Sequence, residues 1–155
     1  KAEPMCNAWY DSSENGLRVH KKIDLGIAVN TDAGLFVPVM HDIGNRTSDD
    51  LRKGFDELRA AVEARTVPAD ELRGATITLT NAGPLLGHYT TPIVSPPQVA
   101  ILGVCRARDE VVARDGQPVV RRMMPLSMTF DHRAVSGAEA SNFMATVITD
   151  LALSE

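Results

Sequence analysis

Aromatic residues make up only 5% of this chain, and cysteine occurs twice, at Cys6 and Cys105. Two cysteines cannot build the disulfide framework of a small secreted domain, and Cys105 lies in an apolar run where a buried thiol is the default. A reducing compartment follows. Neither sign of charge dominates. The net charge of −4 argues against a nucleic-acid surface, which needs clustered Lys and Arg. The basic spots Lys21-Lys22 and Arg121-Arg122 read as solvated strand faces. No apolar stretch approaches the roughly 18 residues of a membrane span, so neither nucleic acid nor membrane is an expected partner.

Several motifs are missing as well. His20, His41, His88 and His132 are scattered, with no HxxxH, HxH or CxxC spacing, so no metal site is expected. A Gly-x-Ser-x-Gly elbow, a Walker loop and a dinucleotide glycine fingerprint are all absent. What is present is ordinary: 155 residues, 44% apolar and 23% charged, enough for one domain with a proper core. The chain starts at Lys1 and enters structure at once, so a piece of a longer protein is expected.

The first forty residues read as strands. Leu17 to His20 follows a Glu14-Asn15-Gly16 turn as a hairpin return, and Ile23–Val29 and Leu35–Met40 are joined by Thr31-Asp32-Ala33-Gly34. From Thr47 the period changes. Leu51, Phe55, Leu58 and Val62 fall on one helical face, with Ser48 as cap and Asp49 and Asp50 in the first turn. Pro68 marks the end, and residues 68–72 read as one extra turn. Thr76–Thr80 alternates as a strand, 81–95 is a Gly- and Pro-rich loop, and Val99–Val104 is the next strand. Asp115-Gly116 joins Glu110–Ala113 to Val119–Arg122 as a hairpin. Met124–Phe130 is the last strand, and Ala140, Phe143, Met144, Val147 and Leu151 form the buried stripe of a terminal helix. The fold class is α+β: a two-layer sandwich of a mixed sheet of about six strands with two helices on one face.

Two polar clusters end strands. In Phe130-Asp131-His132-Arg133 the imidazole follows a strand end, while Asp131 and Arg133 point to the other side and are free to pair. A satisfied structural histidine is the bland alternative; proton transfer is the functional one. Ser136-Gly137-Ala138-Glu139 is a capping box, and the cap fixes the turn that holds the ring. Thr80 and Asn81, before Gly83, are either turn chemistry or a hydroxyl donor for an oxyanion. A base and a hydroxyl on two strand ends are the parts of an acyl-transfer site.

Further motifs stand in register with these. They are Pro4 with Asn7-Ala8, Gly34-Leu35 with Val37-Pro38-Val39, and Leu72-Arg73-Gly74 leading into Thr76–Gly83. Pro92-Ile93 then runs through Pro96-Pro97 to Ala100–Gly103, and the Asp-His-Arg turn follows. In this order they resemble the catalytic domain of the dihydrolipoamide acyltransferases, the core components of 2-oxoacid dehydrogenase complexes. The resemblance covers essentially the whole chain, but only the later part of the family domain, so residues 1–155 are expected to lack its N-terminal part.

The resemblance implies a chloramphenicol acetyltransferase-like fold and acyl transfer, acetyl or branched-chain, between a lipoyl-lysine dihydrolipoamide and CoA. His132 would deprotonate the thiol and Thr80 would bind the tetrahedral oxyanion, from adjacent subunits of a homotrimer that assembles into a larger core. Thr80, Asn81, Asn30 and the backbone near Gly103 and Cys105 would lie along the CoA side. CoA as co-substrate, a lipoyl group on its own domain and no metal are implied. So are the complex's other subunits as partners, and a bacterial cytoplasm or mitochondrial matrix. Ser136 departs from the family pattern, which usually has Asp there and in some members Asn. All three are good N-caps, so the cap is the expected shared requirement. The same departure favours the alternative of a catalytically weak structural core subunit. An antibiotic acetyltransferase is a third reading, disfavoured by the Asp-His-Arg form.

Overall fold

β-branched and apolar residues along Leu25–Thr31 (β3), Ile77–Asn81 (β6) and Ala100–Val104 (β7) build three parallel strands at the centre of a six-stranded mixed sheet. The computed structural model describes residues 2–83 and 87–152, so residues 84–86 of the predicted long loop lie outside the described part. Leu126–Phe130 (β10) pairs antiparallel with β7 and forms one edge. The other side of β3 is taken by Gly34–Phe36 (β4) and Val39–Met40 (β5), also antiparallel. Ala8–Asp11 (β1) with Gly16–Val19 (β2), and Arg108–Arg114 (β8) with Gln117–Met123 (β9), are separate hairpins.

The expected strand 35–40 is split. β4 and β5 keep one register against β3, Val29 opposite Phe36 and Gly26 opposite Val39. Pro38 lies between them; it has no N–H to give, although its carbonyl still accepts from Ile27 N–H at 2.9 Å. Pro125 likewise moves the start of the last strand from Met124 to Leu126, while its carbonyl takes the Cys105 N–H at 3.1 Å.

Helix α1 spans Ser48–Glu63, and its cap is Thr47 rather than the expected Ser48. Thr47 is extended and its Oγ1 accepts from Asp50 N–H at 3.2 Å, so Ser48 becomes the first helical residue. Helix α2 spans Gly137–Ala152. Both helices cover the same face of the sheet: Met40, in register with Leu25, lies under Gly54 of α1, and Phe143 of α2 packs against the cluster containing Leu25 and Ile77. The core runs through Cys6, Ala8, Ile77, Val99, Ala100, Val135 and Ala140, and burial pushes the Cys6 thiol up to about 11.

The opposite face is covered by the first hairpin and the loop before β7. Trp9 Nε1 donates to Ala75 O at 2.8 Å, and Tyr10 N–H to Pro97 O at 2.8 Å. Asn7 fixes the start of that hairpin, its carboxamide donating to His20 O and Lys22 O, both at 2.9 Å, and accepting from Thr76 Oγ1.

Candidate active site

His132 is placed by short-range bonds. Asp131 N–H donates to Val99 O at 2.8 Å, extending the β10–β7 pairing by one bond, and Asp131 O then accepts from Ala134 and Val135 at 3.0 Å. That closes a tight turn anchored by Val135, which is buried. The Asp131 carboxylate takes the Arg133 backbone N–H at 3.0 Å and its guanidinium through Nε at 3.0 Å and Nη2 at 2.6 Å. The Arg133 side chain holds the Asp131 carboxyl below the usual carboxylate range. The same guanidinium lies 4.2 Å from the Tyr10 ring centroid, tying the turn to the first hairpin. With its neighbours paired, the His132 imidazole stands exposed, against Phe130 at a ring-centroid distance of 5.0 Å.

Ser136 forms the capping box. Its Oγ accepts from Glu139 N–H at 3.3 Å and donates to Glu139 Oε2 at 2.7 Å, while its backbone N–H donates to Oε2 at 2.8 Å. These bonds, the side-chain one first, hold the Glu139 carboxyl below its ordinary range. The turn that carries the histidine is thus closed by an ion pair before it and a helix cap after it.

Thr80 is placed by the sheet. It lies opposite Ala28 of β3 and Gly103 of β7, and Gly103 lies opposite Ser127 of β10. Its half-buried side chain lines a cavity of about 660 Å³ on the helix-free face, with Trp9, Val37, Thr78, Gln98 and Ile101 in the walls. Gly103 is required by crowding: a Cβ there would come within 2.7 Å of Ser127 Oγ and 2.9 Å of Thr90 Cγ2. Its absence lets Thr90 and Pro92 close over β7.

The other predicted residues gather at the carboxyl ends of the three parallel strands. Asn81 is exposed, and its Oδ1 accepts from Gly83 N–H at 2.9 Å, which is turn chemistry. Asn30 is exposed on β3, opposite Leu35. Cys105 is buried, its N–H given to Pro125. A second cavity, about 610 Å³, opens on the helical face around His20, Ile23, Leu25, Leu79 and Phe143. Burial lowers the His20 pKa, and none of the predicted site residues lines this cavity. Among the described residues no cluster of three His, Cys, Asp or Glu could hold a metal.

One chain does not bring His132 and Thr80 together. β10 runs against β6, so the two residues end strands that point in opposite directions. By register they lie about 17 Å apart along the strands and about 10 Å across two strand spacings. Sequence reasoning missed Thr78, Gln98 and Trp9 in the Thr80 cavity; the one signal was that Thr78 shares the strand alternation of Thr80.

A family model described as 2-oxoacid dehydrogenases acyltransferase (catalytic domain) matches residues 1–153. A curated relative, the lipoamide acyltransferase component of the branched-chain alpha-keto acid dehydrogenase complex of Pseudomonas putida, is 43% identical over 147 residues, covering 93% of this chain and 34% of that protein. The chain spans about a third of the length of the curated relatives it matches. Dihydrolipoamide acetyltransferase of Azotobacter vinelandii superposes with a TM-score of 0.86 at 35% identity, covering 93% of this chain and 59% of that one. That structure belongs to an investigation of a serine, a histidine and an asparagine in the catalytic mechanism. The cubic core of the pyruvate dehydrogenase multienzyme complex also superposes at 0.86, with 35% identity and coverage of 92% and 59%. The chain therefore belongs to the family of 2-oxoacid dehydrogenase acyltransferase catalytic domains.

Proposed function

We infer that this domain moves an acyl group between a lipoyl-lysine dihydrolipoamide thiol and CoA, as part of a 2-oxoacid dehydrogenase complex. One observation carries the reading. The serine, histidine and asparagine under study in the Azotobacter vinelandii enzyme are spaced along that chain as Thr80, His132 and Ser136 are spaced along this one. Thr80 offers the same kind of hydroxyl as the serine, and Ser136 the same capping ability as the asparagine.

Neutral His132 takes the proton of the attacking thiol, whose pKa near 8–9 is within reach of an imidazole. The thiolate adds to the thioester carbonyl, and Thr80 donates to the oxyanion of the tetrahedral intermediate. Collapse expels the second thiolate, which takes the proton back from the imidazolium. No acyl-enzyme forms, so the protein positions two thiols and stabilises one charge. Because His132 and Thr80 lie at opposite ends of one sheet, each site draws its base and its hydroxyl from different copies, in a homotrimer that builds a larger core. Such a core would work in a bacterial cytoplasm or a mitochondrial matrix. Acetyl and branched-chain acyl groups both suit the reaction.

A second reading, a structural core subunit with weak catalysis, is favoured by Ser136, whose Oγ is engaged by Glu139. Incubating the full assembled protein with acyl-CoA and dihydrolipoamide separates the two. S-acyl dihydrolipoamide formed at an enzymatic rate supports the acyltransferase; an assembled protein that forms none is the structural subunit.

A further inference from the structure

Resting on the acyl-transfer reading, we propose that Gln98 is a substrate-binding residue, its Nε2 donating to the amide carbonyl of the thiol-bearing arm that reaches Thr80. Gln98 is half-buried and lines the same cavity of about 660 Å³ as Thr80. Its Oε1 is occupied: Thr78 Oγ1 donates to it at 2.7 Å from a side chain only 5% exposed. The carboxamide is therefore pinned from the cavity floor by its oxygen, and the two Nε2 hydrogens are left to face the space above. Its backbone is held as firmly, with Gln98 N–H on Ser95 O at 3.1 Å and a bridge to Trp9 of the first hairpin.

Distance and polarity say what the donor meets. Thr78 and Thr80 are two residues apart on one strand and point to the same face, so their levels differ by about 7 Å. An arm whose thioester carbon sits at Thr80 and which lies along β6 passes Gln98 within a few bonds of its sulfur. The walls around it are largely apolar, with Ala28, Val37, Pro92 and Ile101 among them. A fixed N–H donor in such a wall needs an acceptor on the ligand. Both thiol arms of the reaction carry one: in the pantetheine part of CoA two methylenes and the amide nitrogen separate the carbonyl from sulfur, and in the lipoyl-lysine arm a longer carbon chain does, so the pantetheine amide matches this spacing more closely.

The test is Gln98→Glu in the full assembled protein. Glutamate keeps an oxygen for the Thr78 hydroxyl and removes the N–H donors. The KM for CoA or for dihydrolipoamide should rise roughly tenfold, with kcat within about twofold; whichever KM moves identifies the arm in the cavity. With dithiothreitol, a dithiol without an amide, as the acceptor at saturating acyl-CoA, wild type and variant should be indistinguishable. Thr78→Val, which frees the carboxamide from its anchor, should move the same KM in the same direction by less. Unchanged KM values for both thiols, or an equal loss with dithiothreitol, would overturn the assignment and leave the acyltransferase standing. A wild-type protein that transfers to neither thiol would overturn the acyltransferase and this residue's role together.

Discussion

Thr80 and His132 end strands of one sheet, yet different forces hold them. Thr80 owes its position to partners distant in sequence: Ala28 and Gly103 set its level, and Thr90 and Pro92 roof the neighbouring strand. His132 owes its position to bonds within about one turn of chain, from the Asp131–Arg133 pair to the Ser136–Glu139 cap, with Val99 and Tyr10 as outside anchors. The hydroxyl is thus built into the sheet, whereas the imidazole stands on a self-contained turn at its edge. Substitutions around the histidine should spare the fold, and those around Thr80 should disturb it.

The sharpest break comes from the turn. His132 is exposed, with its ring against Phe130 at the surface end of β10, so His132→Ala should change the thermal midpoint little and lower acyl transfer about 10²–10⁴-fold. Loss of folding with this variant would mean the ring is structural.

On the sheet side, Thr80→Val keeps the shape and removes the donor. A fall of about 10²-fold in kcat with little change in KM is expected, and Thr80→Ser should restore most of it. A KM effect alone would instead make Thr80 a binding contact.

The smallest expected effect concerns the cap. Ser136→Ala should cost about 1 kcal/mol of stability at neutral pH, whereas Ser136→Asp should retain it. Since Ser136 depresses the Glu139 carboxyl, the cap's ionic share is complete above the ordinary carboxylate range. It is lost as pH falls through the depressed folded value. Denaturation at a series of pH values should therefore show wild type and Ser136→Ala converging in acid.

The same contrast explains how far the residues could be read without coordinates. The capping box, the α1 face and the Asp-His-Arg turn are patterns within a few residues, and each stands where periodicity put it. Position along the sheet is another matter. Thr47 displaced Ser48 as cap because the backbone turned helical one residue earlier than the side-chain preferences suggested. Pro38 interrupted a strand whose register nonetheless continued. Gln98 and Trp9 joined the Thr80 cavity only through the docking of the first hairpin onto the loop before β7. That pairing spans most of the chain and leaves no local trace.

On the proposed function, one chain's His132 works with another chain's Thr80. Mixing His132→Ala and Thr80→Val chains, unfolding them together and reassembling them tests it directly. If base and hydroxyl come from different copies, about a quarter of the sites in an equal mixture regain both groups, and acyl transfer returns well above either parent. If the mixture stays as inactive as its components, the two residues do not share a site across copies, and the account is wrong.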